Sequence, residues 1–391
     1  MAARARIDGV LKQAVDAKDV PGVVAMAATD KGLLYEGAFG TRDLAKGPAM
    51  TLDTVFRIAS MTKAITSVAA MQLVEQGKLK IDEPVPAIDT ALSAPQVLEG
   101  FDDAGAPKLR PAKRPITLRH LLTHTAGFSY EVWDANTMRY VKAAGMPSTP
   151  SGKVAALRMP LAFDPGDKWE YGVNIDWVGR IVEAISGQPI NAYFADRIFG
   201  PLGMKDSGFA TSAEQRARQA SVHQRQADAT FVPQPLETQF TPEFYAGGGG
   251  LYSTGRDYMT FLQALLREGS LNGTRILKSE TVALMHRNAI GDIPAGILKT
   301  QNPGRSNDVD FFPGARVRWS LAHMLNVDAG PNGRSAGTVS WGGIFNTYYW
   351  IDPAKRVTGM IMTQILPFAD PRALKLYGQL ERSVYDALKA V

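Results

Sequence analysis

Strand-like patterning in this 391-residue chain is concentrated at its two ends, while residues from roughly 81 to 200 carry mainly helical spacing. Near the N-terminus, the apolar runs Val23 to Ala28 and Leu33 to Phe39 flank Asp30-Lys31-Gly32. That short polar connection ends in a residue that tolerates positive φ, so the pair predicts an antiparallel hairpin. Near the other end, Val317 to Val327, Thr338 to Trp341, Thr347 to Ile351 and Val357 to Thr363 read as strands. Gly-Pro-Asn-Gly and Asp-Pro-Ala-Lys turn chemistry separates them. Strands must bury a face, so the two distant ends are expected to pair into one sheet with the helical part inserted between them. Helices should flank that sheet. Ile7, Val10, Leu11, Ala14 and Val15 recur at helical spacing before the first strand, and Leu374, Tyr377, Leu380, Val384 and Leu388 form one stripe near the end.

The expected fold class is therefore α/β (α+β), an antiparallel sheet flanked by helices plus a mostly helical domain. Residues 1–80 and 201–391 would form the α/β domain, and residues 81–200 the helical one, with Leu118 to Leu122 and Ile175 to Ile185 among its helices. At 45% hydrophobic residues the chain can bury a large core. The 43 basic and 38 acidic residues give +5 without any block of like charge, which points to an ordinary basic surface and away from nucleic-acid partners. The absence of cysteine removes thiol nucleophiles, disulfides and cysteine-ligated metals together. No apolar stretch near Arg4 and Arg6 has the form of a secretion signal and none approaches a membrane span, so a cytoplasmic location with no membrane partner is expected.

The chemistry begins at Ser60, the only serine with a lysine three positions on, in Phe56-Arg57-Ile58-Ala59-Ser60-Met61-Thr62-Lys63. An apolar helical run follows. Positions three apart share a helix face, so the hydroxyl of Ser60 and the amine of Lys63 should meet in the first turn, beside the positive end of the backbone dipole. A serine hydroxyl needs a base to become a nucleophile, and Lys63 serves only when neutral. A tyrosine is the other candidate base, and Tyr171 stands at a loop-to-helix junction in Trp169-Glu170-Tyr171-Gly172-Val173-Asn174. The third segment, Trp341-Gly342-Gly343-Ile344, closes one expected strand. Its paired glycines allow close approach to the backbone, so the N–H groups of Ser60 and Ile344 are the candidate oxyanion donors. Taken singly, these are a capping serine with a surface lysine, a core tyrosine and a glycine kink.

Two rival motifs carry less. Gly333-Arg334-Ser335-Ala336-Gly337 has the spacing of a nucleophile elbow, but it leads into a strand and none of the five histidines follows it. His120 and His124 have the i, i+4 spacing of zinc ligands without the intervening glutamate, so buried, hydrogen-bonded histidines are the better reading. Tyr130, Trp133, Met138 and Tyr140 are candidate pocket residues that read more readily as core. Asn288 to Gly314 is a Gly- and Pro-rich candidate for the rim of a cleft.

Together Ser60-Met61-Thr62-Lys63, Tyr171 and Trp341-Gly342-Gly343 resemble the three active-site motifs of the serine β-lactamase and penicillin-binding-protein superfamily. The resemblance is closest to its family VIII carboxylesterase branch and to the related acyltransferases of statin biosynthesis. It extends over Leu98 to Gly105, Leu118 to Gly127, Asp164 to Trp177 and Pro201-Leu202-Gly203-Met204. It implies a β-lactamase/transpeptidase-like fold with the active site in a cleft between the two parts. It also implies Ser60 as nucleophile, Lys63 and Tyr171 sharing proton transfer, the Ser60 and Ile344 amides as oxyanion hole, and no metal or organic cofactor. Class C β-lactamases carry Tyr-x-Asn and Lys-Thr-Gly, whereas Val173 and Trp341 stand here at the asparagine and lysine positions. Losing an amide and a cation favours uncharged acyl esters, with Trp341, Gly342, Gly343 and Val173 meeting the substrate and Asn174 one place too late to compensate. The expected activity is a carboxylesterase acting on short- to medium-chain esters. An acyltransferase passing the group to an alcohol is the alternative, followed by weak β-lactam hydrolysis. The partner is a small-molecule ester, and the sequence leaves the oligomeric state open, a homodimer included.

Overall fold

A computed structural model describes residues 2–237 and 240–389. Helix α1 (Ala2–Asp16) leads into the hairpin of β1 (Gly22–Thr29) and β2 (Gly32–Gly40). The distant C-terminal part supplies β3 (Val317–Trp319), β4 (Met324–Asn326), β5 (Val339–Gly343), β6 (Thr347–Asp352) and β7 (Val357–Met362). These seven strands form one antiparallel sheet in the order β3-β4-β5-β6-β7-β1-β2. The seam between the two ends of the chain is the β1–β7 pairing, with Val24 opposite Met362 and Thr29 opposite Val357. Both strands are almost wholly buried, which is why neither shows a polar face in its sequence.

The single strand expected over Val317 to Val327 is two strands joined by a tight turn. Ser320 N donates to His323 O at 2.8 Å, and Ser320 Oγ accepts from His323 N at 3.0 Å. The serine side chain builds this turn without glycine or proline, so no breaker marked it. The middle of the chain also holds a hairpin, Gln96–Phe101 against Pro107–Pro111, inside the part expected to be mostly helical. Asp102 closes its bend by accepting from Ala106 N at 2.8 Å. The expected helices are present at Leu118–Leu122 and Asn174–Ser186.

Helix α2 (Thr62–Glu75) is buried at every residue from Thr62 to Leu73, so it runs through the interior of the molecule. It packs against the Asn174–Ser186 helix, while the Gly255–Leu266 helix covers β1 and β7. Helix α1 packs against the C-terminal helix Pro371–Lys389, which carries the expected apolar stripe. One continuous core joins Val23 and Met360 of the sheet to Trp177 and Val182 of the Asn174–Ser186 helix. None of the described helices is long and apolar enough to cross a membrane.

Candidate active site

Ser60 occupies a one-turn helix, Ala59–Met61, that feeds directly into α2. The residue before it, Ala59, has φ of +45°, a left-handed conformation that strains a residue with a side chain. Neighbouring backbone holds the turn: Ile58 N donates to Leu251 O at 3.1 Å and Met61 N to Ile58 O at 3.0 Å. Ser60 is partly exposed, whereas Lys63, three residues on, is only 2% exposed. As their spacing requires, the two side chains meet: Lys63 Nζ lies 3.1 Å from Ser60 Oγ. The same amine donates to Tyr130 OH at 3.2 Å and to Gly248 O at 2.6 Å.

Thus the phenol hydrogen-bonded to Lys63 is Tyr130, read from sequence chiefly as core, and not Tyr171. Tyr171 lies alongside instead. Lys63 Nζ sits 4.7 Å from its ring centroid, but its oxygen accepts from Trp341 Nε1 at 3.0 Å. Among the described residues no hydrogen bond joins Tyr171 to Ser60 or Lys63. The physical reason is the tryptophan at position 341: its indole N–H claims the Tyr171 oxygen. Trp341, expected to meet the substrate, is itself buried, edge-on to Tyr171 and Trp319 at 4.9 and 4.7 Å between centroids, and its indole N–H holds the Tyr171 oxygen. Burial pushes the Tyr130 hydroxyl well above the ordinary phenol range, and the nearby Asp176 carboxylate adds to this. Tyr130 therefore stays protonated at neutral pH, and the group hydrogen-bonded to Ser60 is the amine of Lys63.

The two candidate oxyanion donors are brought together by the close approach of β5 to the Ser60 turn. A Cβ added to Gly343 would lie 2.3 Å from Ile58 O, so only glycine lets the strand end there. The next amide, Ile344 N, and that of Ser60 donate to no group within the chain among the described residues. For Ser60 this follows from its place in a first helical turn. Ile344 opens the turn that joins β5 to β6, in which Asn346 has φ of +59° and its Nδ2 donates to Ile365 O and Pro367 O. Such a donor aimed at a developing oxyanion is worth about 3 to 4 kcal/mol.

Other expected residues fall elsewhere. Val173 is fully buried at the start of the Asn174–Ser186 helix, so its expected substrate contact is replaced by core packing. Asn174 also points away from a substrate: its Nδ2 lies 3.1 Å from His124 Nδ1 and donates to Phe128 O at 3.1 Å. His124 has left the helix at φ of +58° and packs on Tyr171 at 4.8 Å, while His120 Nδ1 accepts from Thr117 N at 3.1 Å within a capping box. The two histidines therefore serve different hydrogen bonds. Ser335 sits in the loop before β5, its N–H donating to Asp352 Oδ2 at 2.9 Å beside the buried Arg334–Glu381 ion pair. Trp133 packs edge-on to Tyr171 and donates from Nε1 to Ser306 Oγ at 3.1 Å in the Asn288 to Gly314 segment, and Gln301 N of that segment donates to Val132 O at 2.8 Å. Met138 and Tyr140 lie on the neighbouring Ala135–Ala143 helix.

Sequence reasoning missed Asp176 and the run Gly247 to Gly250. Four successive glycines signal close backbone approach, and a lone carboxylate in the apolar run Ile175 to Val178 was the other available sign.

The two tyrosines are separable by experiment. Tyr130→Phe is expected to slow covalent labelling of Ser60 by a fluorophosphonate about 10- to 100-fold. Tyr171→Phe, which keeps the ring beside Lys63, should leave labelling within about threefold of wild type. Unchanged labelling in Tyr130→Phe would contradict the contact assignment.

Comparison with known proteins follows this geometry. The family model described as Beta-lactamase matches residues 7–382. Monacolin J acid methylbutanoyltransferase of Aspergillus terreus is 32% identical over 396 residues, spanning 97% of this chain and 95% of that protein. A lovastatin esterase of Penicillium rubens is 32% identical over 375 residues, spanning 92% and 93%. Among solved structures, a mutant of simvastatin synthase from Aspergillus terreus matches with a TM-score of 0.86 at 30% identity, covering 98% of this chain and 95% of that one.

Proposed function

This chain belongs to the Beta-lactamase family, and from that premise we propose that it is a serine acyltransferase that carries an acyl group on Ser60 and delivers it to an alcohol. The observation that supports the reading most is Lys63, buried and within hydrogen-bond reach of both Ser60 and Tyr130. In the first half-reaction Ser60 Oγ attacks the carbonyl of an ester or thioester while its proton passes to Lys63. The carbonyl oxygen gathers charge between the Ser60 and Ile344 amides, and the departing alcohol or thiol takes the proton from Lys63. In the second half an acceptor alcohol attacks the acyl-enzyme, Lys63 receives its proton, and Ser60 Oγ leaves with a proton returned. Tyr171, its oxygen fixed by Trp341, stands beside Lys63 and is placed to stabilise the charge that Lys63 gains.

A hydrolytic reading shares every step except the last acceptor, and the family VIII carboxylesterase expected from sequence is this second reading. A lovastatin esterase among the relatives favours it, whereas monacolin J acid methylbutanoyltransferase favours transfer. The apolar surroundings weigh toward transfer. Trp133, Trp169, Trp319 and Trp341 crowd around Tyr171, and a site poor in water spares an acyl-enzyme from hydrolysis. No cationic residue occupies position 341, so the proposed acyl group is uncharged.

Partitioning tests the choice. With a p-nitrophenyl ester or acyl thioester as donor and rising millimolar alcohol, most of the acyl group is expected on the alcohol, with p-nitrophenol or thiol release unchanged or faster. Free acid as the dominant product at every alcohol concentration would return the protein to the esterase reading. A chromogenic cephalosporin should turn over far more slowly than either donor.

A further inference from the structure

Resting on the reading of Ser60 as nucleophile and Lys63 as its base, we propose that Asp176, acting through the Gly248 peptide, is a positioning residue that sets how strongly Lys63 takes the Ser60 proton. Gly248 is held at both ends of its backbone: its carbonyl accepts from Lys63 Nζ at 2.6 Å, and its N–H donates to Asp176 Oδ1 at 2.9 Å. The adjoining carbonyl of Gly247 accepts from Thr66 Oγ1 at 2.6 Å, one turn further along α2. A Cβ on Gly248 would lie 2.6 Å from Asp176 Oδ2, so glycine alone fits this bridge. Asp176 is only 2% exposed, and its oxygen accepts from the Gly248 N–H rather than facing a cation directly among the described residues. Its carboxylate caps one end of a hydrogen-bonded chain whose other end is the amine.

The groups that face Lys63 are Ser60 from its own turn, His124 and Tyr130 from the loop after the Leu118–Leu122 helix, Tyr171, the Gly248 carbonyl, and Asp176 from the Asn174–Ser186 helix. Burial, and then the charge of Lys63, keeps His124 neutral, and Tyr130 stays a phenol. Asp176 is the one carboxylate in this set. Burial raises its carboxyl above the usual range and Lys63 opposes that rise, so the two groups feel each other across the peptide. When Ser60 gives up its proton an ammonium forms at Lys63, and the aligned Gly248 dipole with Asp176 behind it stabilises that charge. Asparagine at 176 keeps an oxygen for the Gly248 N–H but removes the charge. It should make Lys63 a weaker base that is free of its proton at lower pH.

The experiment follows the rate of fluorophosphonate labelling at Ser60 against pH, beside kcat/KM for a p-nitrophenyl ester. In Asp176→Asn the acid limb of both profiles is expected to move about one pH unit lower, and the plateau to fall about three- to tenfold. A plateau that falls with an unmoved limb marks a purely structural role and overturns the proposal, as does an unchanged profile. If Asp176→Asn fails to fold, as read by its melting curve, Gly248→Ala takes its place: the displaced carboxylate should move the limb the same way, and an unmoved limb again overturns the proposal. Wild type that is not labelled at Ser60 refutes the underlying function, whereas labelled wild type with an unmoved variant refutes only the role of Asp176.

Discussion

Ser60→Ala is expected to lower acyl transfer by about 10⁴-fold or more while leaving the fold intact. The hydroxyl is partly exposed and its hydrogen bond in the described structure is with Lys63, so its loss leaves no core cavity. Alanine fits the one-turn helix, and the strain at Ala59 is carried by the backbone. Stability should therefore stay within about 0.5 kcal/mol of wild type, as for substitutions away from packed or buried polar features. The measurement is kcat/KM for a p-nitrophenyl ester beside a thermal melt. Activity within tenfold of wild type, with an unchanged melt, would remove Ser60 from the chemistry.

Lys63→Met is expected to have the next largest effect, a fall of about 10³- to 10⁴-fold in kcat with KM changed far less. Methionine fills most of the volume of the buried lysine stem, so packing around the first turn of α2 survives. What goes is the amine, together with its contacts to Ser60, Tyr130 and Gly248. Gly248 O would be left buried without its donor, at a cost of about 1 to 3 kcal/mol, and Asp176 would lose the amine at the far end of the Gly248 peptide. The melt should shift down by several degrees without loss of cooperativity. Steady-state kinetics with that melt decide the matter: a rise in KM alone, with kcat kept, would make Lys63 a binding group and leave Ser60 without its base.

The fold was legible where pattern is long and local. The runs Val23 to Ala28 and Val357 to Thr363 are too apolar for edge strands, so pairing between the two ends followed from the need to bury them. The break within Val317 to Val327 was not legible, because Ser320 makes its turn with a side-chain hydrogen bond that no breaker residue announces. The hairpin Gln96–Phe101 with Pro107–Pro111 was missed because its second strand carries charge and proline in place of alternation.

The site divides in the same way. Ser60 and Lys63 were readable because a helix fixes what three-residue spacing means. Tyr130 was not, because it reaches Lys63 across 67 residues and only tertiary packing selects it over Tyr171. His120 and His124 mimicked ligand spacing until the positive φ of His124 turned the chain out of the helix. Motif position pointed to Val173 as a substrate contact, but the first turn of a buried helix turns that side chain into the core. Asp176 and Gly248, 72 residues apart, show their meaning only together.

The most direct measurement is mass mapping of the enzyme caught mid-reaction. The protein is mixed with an acyl thioester, quenched in acid within the first turnover, digested and sequenced by tandem mass spectrometry. The account predicts one acyl adduct, on Ser60, that disappears when an alcohol is added before the quench and reappears as the alcohol's ester. An adduct on Ser335 or any other residue, or turnover with no adduct on Ser60, would contradict it.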